Sequence, residues 1–197
     1  MENGQLMDSL DDLQTQLSQM RKNMREQYNR VVPTGELLFD RFSKASELGA
    51  GEGSSVYDSS LVLGDVSIGE HVWVGPNTIL DGFHAKLSIG SWVTIASGAC
   101  IFTHDSSKHY LSGGKDKSST GAVTIGDCSV IGTLAIINPG VSIGDHCLIG
   151  SHSLVNTDIP NNSIAMGIPA TVVGRVEIDD LGSVGYRWSS LDDECSG

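Results

Sequence analysis

The sequence predicts an all-β solenoid, preceded by a helical segment and interrupted by one extruded loop. Aliphatic residues recur every sixth position over more than half of the chain, and glycine follows many of them. The chain holds 24 glycines against 6% aromatic residues, a composition suited to many tight turns around small aliphatic side chains.

The repeat begins at Val56 and runs through Val62, Ile68, Val74 and Leu80. It resumes after a three-residue slip with Ile89, Ile95 and Ile101, and after a longer interruption with Ile125, Ile131, Ile137, Ile143, Ile149 and Val155. Four places after most of these stands a smaller residue, as at Val72, Thr78, Ala99, Ala135, Val141 and Cys147. A period of six matches neither the 3.6 of a helix nor the 2 of a half-buried strand. It suits a short strand with one large and one smaller inward residue, then a turn, stacked as a solenoid. A β-sandwich would instead break its strands every 8–12 residues or so.

Between Ile101 and Ile125 the spacing exceeds one hexad by eighteen residues, so a hidden coil is arithmetically open. The positions that would carry its aliphatics are Ser107, Gly113 and Ser119, and the stretch SSKHYLSGGKDKSST is polar. Residues 102–122 therefore read as a loop, and long loops on a regular scaffold tend to carry function. Residues 1–50 read as helical. Leu6, Leu10, Leu13, Leu17, Met20 and Met24 form a heptad seam over 6–24, and Pro33-Thr34-Gly35 is expected to end that helix. The seam either builds a short coiled coil or packs on a neighbouring subunit. A second helix is expected over 36–48, ahead of the Gly-rich GAGEGSS. The solenoid domain is expected over 51–175, and 176–197 as a cap or tail.

A formal charge of −12 argues against non-specific binding to nucleic acid or to an anionic membrane. No apolar run approaches the roughly 18 residues of a spanning helix, and the polar start lacks the layout of a signal peptide. The four cysteines (Cys100, Cys128, Cys147, Cys195) show neither CxxC pairing nor zinc-ligand spacing. Reduced thiols and a cytoplasmic location are the expectation.

The segment VTIGDCSVIGTLAIINPGVSIGDHCLIGSHSLVNTDIPNNSIAMGIPATVV is similar to the closing repeats of hexapeptide-repeat acyltransferases, especially the maltose and galactoside acetyltransferases. ILDGFHAKLSIG and IFTHDSSKHYLSGGK resemble sugar O-acetyltransferases of surface-polysaccharide biosynthesis. This resemblance covers about 56–175. It implies a left-handed parallel β-helix, an exception to the right-handed crossover rule, and a homotrimer with active sites between subunits. It also implies an acetyl-CoA-dependent O-acetyltransferase acting on a sugar or glycan hydroxyl, without a metal.

Acetyl transfer from a thioester to a hydroxyl needs a base, an oxyanion donor and a channel for the carrier. Histidine is the natural base because its pKa lies near neutrality. His104, in Phe102-Thr103-His104-Asp105, stands where the family's catalytic histidine does. Asp81 falls near the family's acceptor-binding carboxylate and can bind sugar hydroxyls or orient His104. Asp105, His109, Lys115 and Trp73 are further acceptor-binding candidates, the first three from the loop and Trp73 by stacking. His84 lies in the three-residue slip, while His71, His146 and His152 fall at solvent-facing turns. By resemblance, the coenzyme follows backbone along the later coils at Gly132, Thr133, Gly150, Ser151, Asn156 and Thr157, with Pro169 of the G-x-P-A ending and Arg175 nearby. Thr157, Thr171 and Gly174 stand where the family often has basic residues, and Val130 stands where it has an aromatic one.

Three other functions remain open from the sequence. One is N-acetylation of a nucleotide-linked amino sugar, which uses the same scaffold and thioester. Another is a γ-carbonic-anhydrase-like zinc hydratase, because His104 and His109 lie five apart and His71 or His84 can supply a third ligand. The last is a non-catalytic scaffold.

Overall fold

The computed structural model describes residues 2–189, with side chains from residue 9 onward. Cys195, the end of the expected tail and the side chain of Leu6 lie outside the described residues. No described helix is long and apolar enough to cross a membrane.

The hexads form a parallel solenoid with three faces. The first face stacks Ser55–Val56, Trp73–Val74, Thr94–Ile95, Val130–Ile131, Leu148–Ile149 and Ser163–Gly167. The second stacks the start of Leu61–Ile68, the start of Ile79–Ile89, then Cys100–Phe102, Ile136–Ile137 and Leu154–Val155. The third stacks the ends of those two long strands with Val123–Ile125 and Ser142–Ile143. Partners in neighbouring coils lie 18 residues apart where the repeat is regular, as for Val130 and Leu148. The separation is 21 across the slip (Ile79 and Cys100) and 36 across the loop (Cys100 and Ile136). Eighteen is three hexads, one per face. The aliphatic at the head of each hexad points inward, so Val74, Leu80, Ile95, Ile101, Ile131, Ile137, Ile149 and Val155 are fully buried in one continuous core.

The recurrent Ile-Gly-Asp has a physical cause at one corner of the prism. Asp127 Oδ1 accepts from Ser91 N at 2.7 Å, Asp145 Oδ1 from Asp127 N at 2.9 Å, and Asn161 Oδ1 from Asp145 N at 3.0 Å. Each oxygen crosses directly over the glycine of the coil beneath it. A Cβ at Gly90, Gly126 or Gly144 would overlap Asp127, Asp145 or Asn161 Oδ1 respectively. The same corner turns through left-handed residues, among them His71, Trp92, Cys128, His146 and Asn162, with φ of 54–59°.

The N-terminal segment differs from expectation in two ways. Helix α1 (Glu2–Tyr28) ends at Asn29, whose φ of 50° is the left-handed conformation that closes many helices, well before Pro33. The single helix expected over 36–48 is two, α2 (Thr34–Leu38) and α3 (Arg41–Glu47), because Asp40 accepts from Phe42 N and Ser43 N and starts a new helix. Helix α3 plugs the first coil: Ala45 is in the core, and Lys44 Nζ donates to the carbonyls of Tyr57, Asp58 and Ser60 at 2.8–3.0 Å. Along the heptad seam, Leu10 and Leu13 are 49% and 47% exposed, and Leu17, Met20 and Met24 are half-buried. At the other end, the boundary expected at 176 falls inside a strand. Ala170–Ile178 turns back antiparallel on Ser163–Gly167 and pairs with Val184–Trp188.

Replacing Gly126 with alanine drives a Cβ into Asp145, so Gly126→Ala is expected to lower unfolding stability by about 1–3 kcal/mol in urea titrations. Gly185→Ala, whose Cβ meets nothing nearer than 3.9 Å, is expected to change it by less than about 0.5 kcal/mol.

Candidate active site

The site forms at the corner between the second and third faces, where both irregularities of the repeat meet. The three-residue slip lies inside Ile79–Ile89, and its crossing with the coil below is very tight. A Cβ at Gly64 (φ 71°) would overlap Gly82 O, and one at Gly82 would overlap Asp65 O. Glycine at both places lets the backbone bulge outward while Asp81 stays inside. Asp81 pairs in register with Phe102, two residues before His104. The slip and the loop are therefore brought together by the stacking of two coils.

Asp81 is 3% exposed. Its Oδ1 accepts from Phe83 N at 2.9 Å, and its Oδ2 lies 2.9 Å from His104 Nδ1. That approach is off the line of a well-directed hydrogen bond, yet Nδ1 is buried and has no other partner among the described residues. The His104 side chain as a whole is 28% exposed. Its ring also packs against His84, with centroids 4.3 Å apart and planes at 52°. Phe83 meets His84 edge-on at 5.1 Å. A carboxylate thus holds one nitrogen of His104 and leaves Nε2 as the nitrogen available for proton transfer.

The loop is more ordered than its composition suggests. His104–Asp105 pairs antiparallel with Ser119–Thr120, and helix α4 (Ser107–Leu111) follows at once. Gly121 N donates to Thr103 O and closes the base of the loop. Asp105 Oδ1 accepts from Ser107 Oγ and Ser107 N, and these bonds hold its carboxyl below the usual range. His109 Nδ1 lies 2.9 Å from Asp116 O and braces the far side of the loop. Lys115 is exposed. Tyr110 and Leu111 stand out from the loop as its most exposed apolar side chains.

Of the sequence-derived acceptor residues, then, the structure brings only Asp81 into contact with His104. It buries Asp81 with both oxygens engaged inside the chain, which makes it a support for His104 rather than an open hydrogen-bonding group. Asp105 Oδ1 and His109 Nδ1 bond within the loop itself. Trp73 lies on the first face, edge-on to Tyr57 at 5.8 Å, away from this corner. Phe83 is the neighbour that the sequence did not single out, whereas His84, in the slip, was already a candidate for substrate contact. The signal available for Phe83 was the slip, a break of period directly before a histidine-bearing loop.

The residues expected along the coenzyme divide between corners. Gly132-Thr133 and Gly150-Ser151 leave the first face in successive coils, with Gly167 and Pro169 above them. Thr133 and Ser151 are exposed. Asn156 and Thr157 leave the second face, on His104's own corner, two coils higher. Arg175 lies opposite Ser163, where the last first-face strand begins. Among the described residues no group of three or more His, Cys, Asp or Glu is arranged to hold a metal ion. Burial raises the thiols of Cys100, Cys128 and Cys147 above their ordinary value.

Comparison with known proteins agrees with this architecture. Residues 122–157 match the model of the bacterial transferase hexapeptide family (six repeats). The chain is 32% identical over 121 residues to a galactoside O-acetyltransferase of Escherichia coli K12, covering 58% of this chain and 59% of that protein. A hexapeptide-repeat acetyltransferase of Vibrio cholerae, solved with acetyl coenzyme A, superposes with a TM-score of 0.55 at 22% identity, over 85% of this chain and 88% of that one. An N-acyltransferase of Bacillus cereus, solved with dTDP and coenzyme A, superposes with a TM-score of 0.58 at 18% identity, over 68% of this chain and 88% of that one. The chain spans about three fifths of the length of the curated relatives it matches. Residues 122–157 thus resemble the hexapeptide repeat of that transferase family.

Proposed function

We propose that the protein is an acetyl-CoA-dependent O-acetyltransferase of a sugar or glycan hydroxyl, built on a left-handed solenoid, with His104 as general base. The observation that carries this reading is the Asp81–His104 contact at the mouth of the loop. A buried carboxylate on Nδ1 fixes the ring and stabilises the imidazolium that forms during transfer. His104 Nε2 takes the acceptor hydroxyl's proton as that oxygen attacks the thioester carbonyl. The C–S bond then breaks, and His104 returns the proton to the departing thiolate. The similarity to a galactoside O-acetyltransferase supports a sugar acceptor.

The placement of the coenzyme residues supports a shared site. Gly132, Thr133, Gly150 and Ser151 stand on a different corner of the prism from His104, so one copy cannot bring both sets to one acetyl group. A second copy, lying against the first, can. The exposed Tyr110 and Leu111 of the loop and the exposed Leu10 and Leu13 of α1 are the apolar surfaces such an assembly would cover. Three copies with cyclic symmetry give three equivalent sites.

N-acylation of an amino sugar is the second reading, favoured by the fold likeness to the Bacillus cereus enzyme. A panel of neutral sugars and nucleotide-linked amino sugars, assayed by thiol release, separates the two: transfer only to amines overturns the O-acetyl reading. His104→Ala is expected to cut transfer by roughly 10²–10⁴-fold without changing the circular dichroism spectrum. Wild-type rates in that variant refute the mechanism. Asp81→Asn is expected to lower kcat by less than His104→Ala does, with the KM for acetyl-CoA unchanged. Sedimentation is expected to give three times the 20.8 kDa chain mass, and a monomer that transfers at full rate would overturn the shared site.

A further inference from the structure

We propose that Phe83 and His84 form the acceptor platform: an aromatic ledge beside His104 that receives the apolar face of a pyranose ring. This rests on the acetyl-transfer reading above and names the part of the site that takes the acceptor.

Elimination makes the first half of the argument. An acceptor must lie within reach of His104, and several of the polar atoms around it are already engaged within the chain. Both oxygens of Asp81 are engaged, on Phe83 N and His104. Asp105 Oδ1 is held by Ser107, and His109 Nδ1 faces Asp116 O. What lies open beside the His104 ring is aromatic. His84 is exposed and packs on it at 4.3 Å, and Phe83 is 69% exposed and meets His84 at 5.1 Å.

Local construction makes the second half. A phenylalanine this exposed, in a chain with 6% aromatic residues, is not placed by core packing. It is held out by a bulge that only glycine at 64 and 82 permits, and its backbone is tied down by Asp81 Oδ1. One carboxylate therefore fixes both the base, through Oδ2, and the ledge, through Oδ1. Pyranoses present a polar rim of hydroxyls and an apolar face of C–H groups. An aromatic surface takes that face while the rim, with the reacting hydroxyl, turns toward His104. Sites for small ligands commonly combine aromatic walls with few polar groups in this way.

The test uses the full-length wild type and three variants, with a panel of methyl pyranosides as acceptors and acetyl-CoA as donor. Phe83→Ala is expected to raise the acceptor KM roughly 3- to 10-fold, in line with the loss of one aromatic contact, and to leave the KM for acetyl-CoA and the assembly's sedimentation unchanged. Phe83→Tyr is expected to keep the wild-type KM. His84→Phe is expected to keep it as well, because the ledge needs a ring and not a titratable group. An unchanged acceptor KM in Phe83→Ala overturns the platform, as does a wild type that acetylates none of the pyranosides. A change in sedimentation with unaltered KM assigns Phe83 to a subunit contact instead. Retained activity in His104→Ala would refute the base and leave the KM results to judge the ledge, so the two failures are distinguishable.

Discussion

Everything in this molecule hangs on the stacking of one 18-residue coil on the next. Most strands of the solenoid are two or three residues long, far too short to stand alone, and nearly all of their backbone bonds go to the coil above or below. Gly132 N reaches Ile149 O, and Ala96 N reaches Ile131 O. A coil therefore has no stable geometry except on its neighbour, and stability accumulates along the axis as in other repeat proteins. Side-chain oxygens reinforce the same direction at one corner, where Asp127, Asp145 and Asn161 each accept a backbone N–H from the coil beneath. The ends of such a stack need separate solutions. Helix α3 closes the first coil with Ala45 and Lys44, and the antiparallel return of Ala170–Ile178 closes the last.

That constraint is also what makes a site. Because stacking is strict, an insertion cannot be absorbed within a coil and has to be expelled at a corner. The slip of three residues and the loop of eighteen are expelled at the same corner in adjacent coils. One supplies a buried carboxylate and two exposed rings; the other supplies the histidine. Neither insertion alone brings His104 and Asp81 together. Asp81 lies in register with Phe102, so His104 is placed from both sides, by the stacked coils through Asp81 and by the loop's own pairing with Thr120. Asp105 Oδ1 and His109 Nδ1 bond within the loop and help to keep it in shape.

The outer surface shows a similar division. Along the prism, the inward residue heading most hexads is aliphatic and the second inward residue is small, at times polar as at Thr78, Ser129 and Ser153, while outward positions mix polar residues with exposed apolar ones such as Val130, Leu134 and Ile136. With the heptad face of α1 and the tip of the loop, these give the chain more uncovered apolar surface than a lone solenoid needs. His104 and the pairs Gly132-Thr133 and Gly150-Ser151 lie on different corners. That separation follows from the triangular section, which turns residues six apart onto different faces.

The sequence by itself determined the solenoid, its three-residue slip and its loop, because a hexad pattern is local: each residue reports on its own face without reference to distant residues. It also singled out His104, through its position at the edge of a break together with the family resemblance of Thr103-His104-Asp105. The helix boundaries were less legible, since Asn29 and Asp40 act through backbone conformation and capping that periodicity does not record. The partners of His104 were settled by tertiary structure alone. Asp81 and His104 are 23 residues apart, and whether a carboxylate there faces water or a histidine depends on the register between coils and on the bulge that glycine at 64 and 82 allows. The same holds for Trp73, which stacking carries onto another face, and for Phe83 and His84, which only the expelled slip sets beside the base. Periodicity fixes which way a residue points. Which residue it meets is decided when the coils stack.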